Sequence, residues 1–283
     1  MTAPTTGPAG ALLSPESGAD RVILEAVNLV KVYRTGGEAY PAVRGVDLAC
    51  REGDFTVIMG VSGSGKSTLL HLLGGLDGAT SGEVRFRGRR LNDMKPRELA
   101  KFRMHHIGIV YQSFNLIPDL SILDNIAFPG YLAGRPRAEA RGRALSLMRR
   151  FGIDGLADRL PSQVSGGQQQ RAAIARALIN GPDLLLADEP TGALSRQQGE
   201  AVLDLLTELN RGGQSIVMVT HDLRAACRAD RLVLVKDGAI VGILDLSKYD
   251  GKDASARERR IYEFTREREQ APCTRCFSSA GPI

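Results

Sequence analysis

FTVIMGVSGSGKSTLLHLL, Phe55 to Leu73, is the stretch that decides the fold of this chain. Phe55 to Met59 is a short apolar run of the kind a buried strand needs, and Thr68 to Leu73 reads as a helix. Between them Gly60-Val61-Ser62-Gly63-Ser64-Gly65-Lys66-Ser67 fits G-x-x-x-x-G-K-[ST], a phosphate-binding loop, in the strand–loop–helix context that the motif requires. Its glycines let the backbone take positive φ, so that successive N–H groups face phosphate oxygens, and the helix adds its positive end. The expected contacts to a nucleoside triphosphate are Gly60, Ser62, Gly63, Ser64, Gly65, Lys66, Ser67 and Thr68. Lys66 would bridge the outer phosphates and the Ser67 hydroxyl would ligate Mg²⁺.

A second strand, Leu184 to Ala187, ends in Asp188-Glu189. At a strand tip Asp188 can hold Mg²⁺ through its water shell, while Glu189, pointing another way, can accept a proton from an attacking water. Paired acids downstream of a phosphate loop imply a nucleotide-hydrolysing centre more than a charged turn.

Short Val- and Ile-rich strands alternate with longer helical stretches from Val22 to about Leu246, which predicts an α/β fold with largely parallel strands. Ile216–Thr220 and Leu232–Lys236 read as further core strands, with Asp237-Gly238 a hairpin turn. Val22–Tyr33, Ala42–Ala49 and Glu83–Arg87 instead alternate with period two, as antiparallel strands do. Leu120 to Leu160 offers no strong strand; its repeated Leu, Ile and Ala predict a helical insert, with Arg137–Phe151 the clearest helix. The expected layout is a leader at 1–20, poor in large apolar residues and disordered. A domain at 21–246 follows, with a helical part at about 113–163 inserted in it, and then a charged tail at 247–283. Within the tail, Asp253–Gln270 carries equal numbers of acids and bases around Ile261, Tyr262 and Phe264, the pattern of a solvated helix with a narrow apolar stripe.

Composition bounds the function classes. With 283 residues, 43% hydrophobic and 24% charged, the chain can bury one good core. The net charge of +5 is not gathered into a basic run, so no nucleic acid partner is expected. Arg85, Arg87, Arg89 and Arg90 read as a solvated strand edge. No apolar stretch reaches the ~18 residues that cross a bilayer. Cys50, Cys227, Cys273 and Cys276 form no disulfide framework, which suits a reducing compartment, and the lone Cys273-x-x-Cys276 is too little for a metal site.

Val164-Ser165-Gly166-Gly167-Gln168-Gln169-Gln170-Arg171, followed by a helical stretch, resembles the signature motif of ATP-binding-cassette ATPases, with Val164 a departure at its first position. The resemblance implies a P-loop NTPase core with an N-terminal antiparallel β subdomain and a small α-helical subdomain. It also implies a head-to-tail dimer around two ATP·Mg²⁺. Ser165, Gly166, Gly167 and Gln168 at a helix start would form an anion site for the γ-phosphate of the other copy, the part an arginine finger plays elsewhere. By the same resemblance Gln112 links Mg²⁺ and water to the helical insert, and His221 in Val219-Thr220-His221-Asp222 is the switch histidine. Tyr33, with Tyr40 as its rival, is the aromatic that stacks on adenine.

Val110-Tyr111-Gln112-Ser113-Phe114-Asn115-Leu116-Ile117-Pro118 and Ala187-Asp188-Glu189-Pro190-Thr191-Gly192 are similar to the ATPases of lipoprotein-release and macrolide-export transporters. The group implies a membrane permease with few spans and a large extracytoplasmic domain, and a peripheral place at the cytoplasmic face. Ser195 departs from the family's aspartate after Gly192-Ala193-Leu194, losing charge and reach at a position that couples the two ATP sites. Soluble family members acting on ribosomes or DNA carry tandem cassettes or coiled-coil arms, which this chain lacks. A weakly catalytic regulatory module would rest on Ser195 alone.

Overall fold

The structure is a computed structural model that describes residues 21–252 and 254–270. The expected leader and the Cys273/Cys276 pair lie outside them.

β1 (Val22–Thr35) and β2 (Glu38–Arg51) form one long hairpin. It extends beyond the strands expected at 22–33 and 42–49 because Gly36 and Gly37, both at positive φ (61° and 88°), let pairing continue to Thr35 opposite Glu38. β4 (Ser81–Phe86) joins the other side of β1, and β5 (Arg89–Arg90) closes an antiparallel sheet of order β2-β1-β4-β5. The arginines here are paired: Arg85 and Arg90 with Glu83, Arg89 with Glu98, Arg87 with Glu52 and Asp183. The charge of this edge is thus locally neutralised by acidic neighbours.

The second sheet has six strands in the order β10-β9-β3-β8-β7-β6, from β3 (Phe55–Met59), β6 (Ile107–Val110), β7 (Leu184–Asp188), β8 (Ser215–Thr220), β9 (Arg231–Lys236) and β10 (Ala239–Asp245). All pairs are parallel except the β9–β10 hairpin at Asp237-Gly238. Its five parallel strands are buried on both faces, which is why they read as apolar runs, while β10 is partly exposed. Ile58, Leu184, Leu186, Val217 and Val233 face a core shared with the antiparallel sheet and with α1 (Lys66–Leu73). Val57, Leu185, Ile216, Met218 and Leu232 face a second core. That core takes in α3 (Ile122–Leu132), α4 (Arg137–Arg150), α5 (Gly166–Leu178) and α6 (Arg196–Arg211). Period-two alternation thus divides each strand between two cores.

One helix falls outside the sequence expectation, and another lies within the expected helical insert. α2 (Pro96–His106) starts with Pro at its first position and buries no residue fully; Leu99 and Phe102 pack partly buried against the core, an apolar face too narrow to mark it in the sequence. α3 contains Pro129 and Gly130, breakers that mask it, yet Ile122, Leu123, Ile126 and Ala127 are buried and the Ser121 hydroxyl caps it by accepting from Asp124 N at 3.1 Å. Burial outweighs propensity there. After α7 (Leu223–Ala226) and the β9–β10 hairpin, the last described element is α8 (Ala254–Gln270). Ile261 of α8 is fully buried and Phe264 lies against Gly242, while Tyr262 is exposed. The apolar stripe is therefore narrower than the three residues expected.

Cys50 and Cys227 are free and buried. Burial pushes their thiols up to about 12 and about 11, so neither is a nucleophile near neutral pH.

Ile58 is wholly inside the core between the sheets. Ile58→Ala is expected to cost about 2–5 kcal/mol, read as a lower urea midpoint at unchanged slope.

Candidate functional site

The parallel register brings the chemistry to one edge of the sheet. Met59 lies opposite Thr220, and Asp188 opposite Val219. The residues that follow β3, β6, β7 and β8 therefore emerge together: the loop at Gly60, Gln112, Glu189 and His221. Ligands of open α/β sheets bind at the carboxyl ends of their strands.

The loop from Gly60 to Ser67 is clamped by backbone. A Cβ on Gly60 would lie 2.2 Å from the Val235 carbonyl oxygen, and one on Gly65 2.2 Å from that of Ala42. Gly65, at φ 94°, is the N-cap of α1. The β9–β10 turn braces the loop as well, Gly238 N donating to Ser64 O at 3.0 Å and Arg44 N to Gly238 O at 2.8 Å. The Ser64 hydroxyl is buried without a hydrogen-bond partner. Lys66 donates to the Val61 carbonyl at 2.8 Å. Burial lowers its pKa, against the pull of Glu189 and Asp188.

The Ser67 hydroxyl donates to Asp188 Oδ1 at 2.8 Å, and His71 Nε2 stands 3.5 Å from Oδ2. Glu189 takes φ 46°, a left-handed conformation that costs a residue with a Cβ, and its N–H is held by Val219 O at 3.0 Å. This twist turns its carboxylate away from that of Asp188 and toward His221, whose Nδ1 is 3.0 Å from Glu189 Oε1. The Glu189 side chain is 13% exposed and that of His221 66%, so the carboxylate is sheltered while the imidazole reaches outward.

Gln112 lies over Gly192, where a Cβ would be 2.7 Å from its Nε2. Its neighbours Phe114 and Asn115 are both left-handed (φ 59° and 51°), and Arg176 holds their carbonyls. Gln170, fully buried, donates to Pro190 O at 2.7 Å and Tyr111 O at 3.3 Å. Neither tie was anticipated. Arg176 and Gln170 sit on α5, so the signature helix is joined to the loops after β6 and β7.

Ser165 caps α5, accepting from Gln168 N at 3.4 Å while Gln168 Oε1 accepts from Ser165 N at 2.8 Å. Gly166 packs beside Leu194 and Gly167 beside Gln198. Among the described residues no hydrogen bond joins this turn to residues 60–68, so the chain does not bring its signature to its own phosphate loop. Ser195 caps α6 with the same reciprocal box, through Gln198. That pattern, Ser-x-x-Gln before a helix, is a legible signal of a cap at both serines.

Tyr33 donates to Asp77 Oδ2 at 2.8 Å, with Lys31 Nζ 4.8 Å from its ring centroid and 2.7 Å from Asp77 Oδ1. Burial, then the Asp77 carboxylate, raise the phenol's pKa, and the Thr68 hydroxyl beside it works the other way. Tyr33 therefore flanks the phosphate loop. Tyr40, opposite it in the hairpin, bonds Glu38 instead.

A phosphate loop, an acid pair and a histidine on neighbouring strand ends, with a helical layer that carries a capped Ser-Gly-Gly-Gln turn, define a P-loop ATPase cassette. Residues 43–192 match the ABC transporter family. The chain belongs to that family, and its cassette is an ATPase. It is similar to the macrolide export ATP-binding/permease protein MacB of Rhodopseudomonas palustris, 45% identical over 213 residues, which are 75% of this chain and 32% of that protein. The Escherichia coli protein of the same name is 44% identical over 219 residues, 77% of this chain and 34% of its own length. The chain thus spans about a third of the curated relatives it matches. Among solved structures, the dimeric ATP-binding cassette MJ0796 bound to ADP and Pi superposes with TM-score 0.75 at 41% identity, over 80% of this chain and all of that one. An α/β core with an antiparallel sheet is the architecture they share.

Gly65→Ala combines a positive φ with a collision against Ala42. It is expected to weaken ATP binding at least about tenfold, measured by titration with a fluorescent ATP analogue.

Proposed function

We propose that this chain is the energy-supplying cassette of an exporter-type or lipoprotein-release-type ABC transporter. Two copies close head to tail around two ATP. Each site draws Tyr33, Lys66, Ser67, Gln112, Asp188, Glu189 and His221 from one copy, and Ser165 with Gly167 from the other. The observation that carries this reading is the 3.0 Å Glu189–His221 contact beside the phosphate loop, with the chain's own signature turn engaged elsewhere. An anion site that its own loop does not use is available to a second copy.

Lys66 would exchange its bond to Val61 for the outer phosphates. Tyr33 offers its ring to adenine, its hydroxyl fixed by Asp77. Glu189 takes the proton from the attacking water, and His221, bonded to that carboxylate, reaches the γ-phosphate. The donors near Asp188 suit Mg²⁺: the Ser67 hydroxyl and the carboxylate already converge at 2.8 Å, the Gln112 amide on the neighbouring loop would add a third hard oxygen, and among the described residues no group of three His, Cys, Asp or Glu could hold a metal by itself. Such a donor set fits an ion carried in on phosphate oxygens, where it would neutralise charge in the transferring group.

Work passes to the membrane through the loop after β6, which Arg176 and Gln170 tie to α5. The partner would be a permease with few spans and a large extracytoplasmic domain, with the cassette at the cytoplasmic face. Among the described residues no helix is long and apolar enough to cross a membrane.

Glu189→Gln is expected to bind ATP and dimerise yet lose about 10²–10⁴ of its turnover. Near-normal phosphate release would reject Glu189 as the base. Purified from membranes with ATP and Mg²⁺, the same variant should carry a permease with it; ribosomal or DNA-bound companions would reject the transporter reading. Ser195→Asp preserves the cap on α6, since aspartate caps as well as serine. Faster or more cooperative hydrolysis at unchanged melting temperature is expected if the missing charge loosens coupling between the sites.

A further inference from the structure

α8 is not needed to build the nucleotide site, yet it drives a charged side chain into the protein. Arg257 is 9% exposed. Its Nε donates to Cys227 O at 2.9 Å, its Nη1 to Ser247 O at 2.7 Å, and its Nη2 to Ala229 O. Burying a guanidinium is costly unless every face finds a partner, and here the partners are main-chain carbonyls. Cys227 is the C-cap of α7, so the cation satisfies oxygens that the end of a helix leaves orphaned. Tyr249 packs between Arg228 and Arg257, which lie 4.7 and 5.4 Å from its ring centroid.

At its other end α7 begins immediately after His221-Asp222. Residues 222–229 form one hydrogen-bonded unit, with Ala226 N to Asp222 O at 3.1 Å, Cys227 N to Leu223 O at 3.0 Å and Ala229 N to Ala226 O at 3.0 Å. A one-turn helix has little stability of its own, and much of this one is small: Ala225, Ala226 and Ala229. Among the described residues the exposed His221 ring is bonded only to Glu189. His221 is held between the end of β8, where Thr220 Oγ1 accepts from Asp222 N at 3.0 Å, and this unit, so a shift of the unit bears on where the imidazole sits.

We propose that Arg257 is a positioning residue for hydrolysis: by binding the far end of the His221 unit, it makes the docking of α8 set the His221–Glu189 contact. The inference rests on the reading of His221 as a participant in hydrolysis. The hydrogen bonds of Arg257 go to the carbonyls of Cys227, Ser247 and Ala229 and not to the phosphate loop, so its effect belongs in turnover and not in ATP affinity.

The test is steady-state phosphate release by the full chain, comparing Arg257→Gln, Arg257→Lys, His221→Ala and the double variant His221→Ala/Arg257→Gln. Misplacing a catalytic group by about 1 Å can cost up to ~100-fold. Arg257→Gln is accordingly expected to lower kcat about ten- to a hundredfold with KM for ATP within about twofold, and to lower it no further once His221 is alanine. Arg257→Lys keeps the charge but cannot span three carbonyls from one nitrogen, so it should fall in between. If Arg257→Gln does not fold, judged by circular dichroism, Arg257→Lys takes its place in the same comparison. Wild-type kcat in the folded Arg257 variant, or losses that multiply with those of His221→Ala, would overturn the proposal. Wild-type turnover in His221→Ala would instead overturn the role of His221, and this proposal with it.

Discussion

The parallel pairing of β3, β8, β7 and β6 is the constraint on which the molecule depends. Because Met59 stands beside Thr220 and Asp188 beside Val219, strands from widely separated parts of the chain end at one edge. Each then releases a functional residue within reach of the others. A register slip in β7 would exchange Leu185 and Ala187 for Leu184 and Leu186 between the two cores. Because such a slip would also drive Asp183 or Asp188 into a fully buried position at one end of the strand, the alignment of Asp188 and Glu189 with the phosphate loop is locked. The catalytic geometry is in this sense a by-product of core packing.

The loops that leave this edge are held by polar ties more than by apolar contact. Gly60 and Gly65 admit carbonyls where a methyl group would collide, and the Asp237-Gly238 turn supports Ser64 from outside. Gln170 spans the loops after β6 and β7, while Arg176 fastens two left-handed residues. Left-handed backbone at Phe114, Asn115 and Glu189 stores conformational cost where movement between nucleotide states would be useful. α5 carries both ties and the signature turn, so displacement of one is felt by the other.

Ser195 gains a plain local role. It closes a capping box that copies the one at Ser165, so the start of α6 keeps its hydrogen bonds without the family's aspartate. What the serine lacks is charge and length, which in the proposed dimer would act between copies. The signature glycines show the same division: they pack against Leu194 and Gln198 within the chain while leaving the Ser165 turn without a bond to the phosphate loop.

Much of this was legible in the sequence, because it depends on short-range rules. A phosphate loop needs glycines at set spacings, a doubly buried strand needs an unbroken apolar run, and Asp188-Glu189 must follow such a run to reach an edge. Those rules marked β3, β7, β8, α4, the Asp237-Gly238 turn and the α/β class. They failed at α2, which buries nothing fully, and placed α3 only as part of a helical insert, because Pro129 and Gly130 speak against a helix that burial nevertheless holds. Long-range contacts left no local trace. Gln170 reads as one of three glutamines until its amide is seen bridging two loops, and Arg257 as one of five bases on a solvated helix until it is seen inside. Tyr33 and Tyr40 are alike in sequence; only the fold sets one beside Thr68 and Asp77. The sequence by itself determined the chemistry and the strands that carry it. Tertiary structure decided which polar side chains hold the loops, because a hydrogen bond between residues distant in the chain depends on packing that no local pattern encodes.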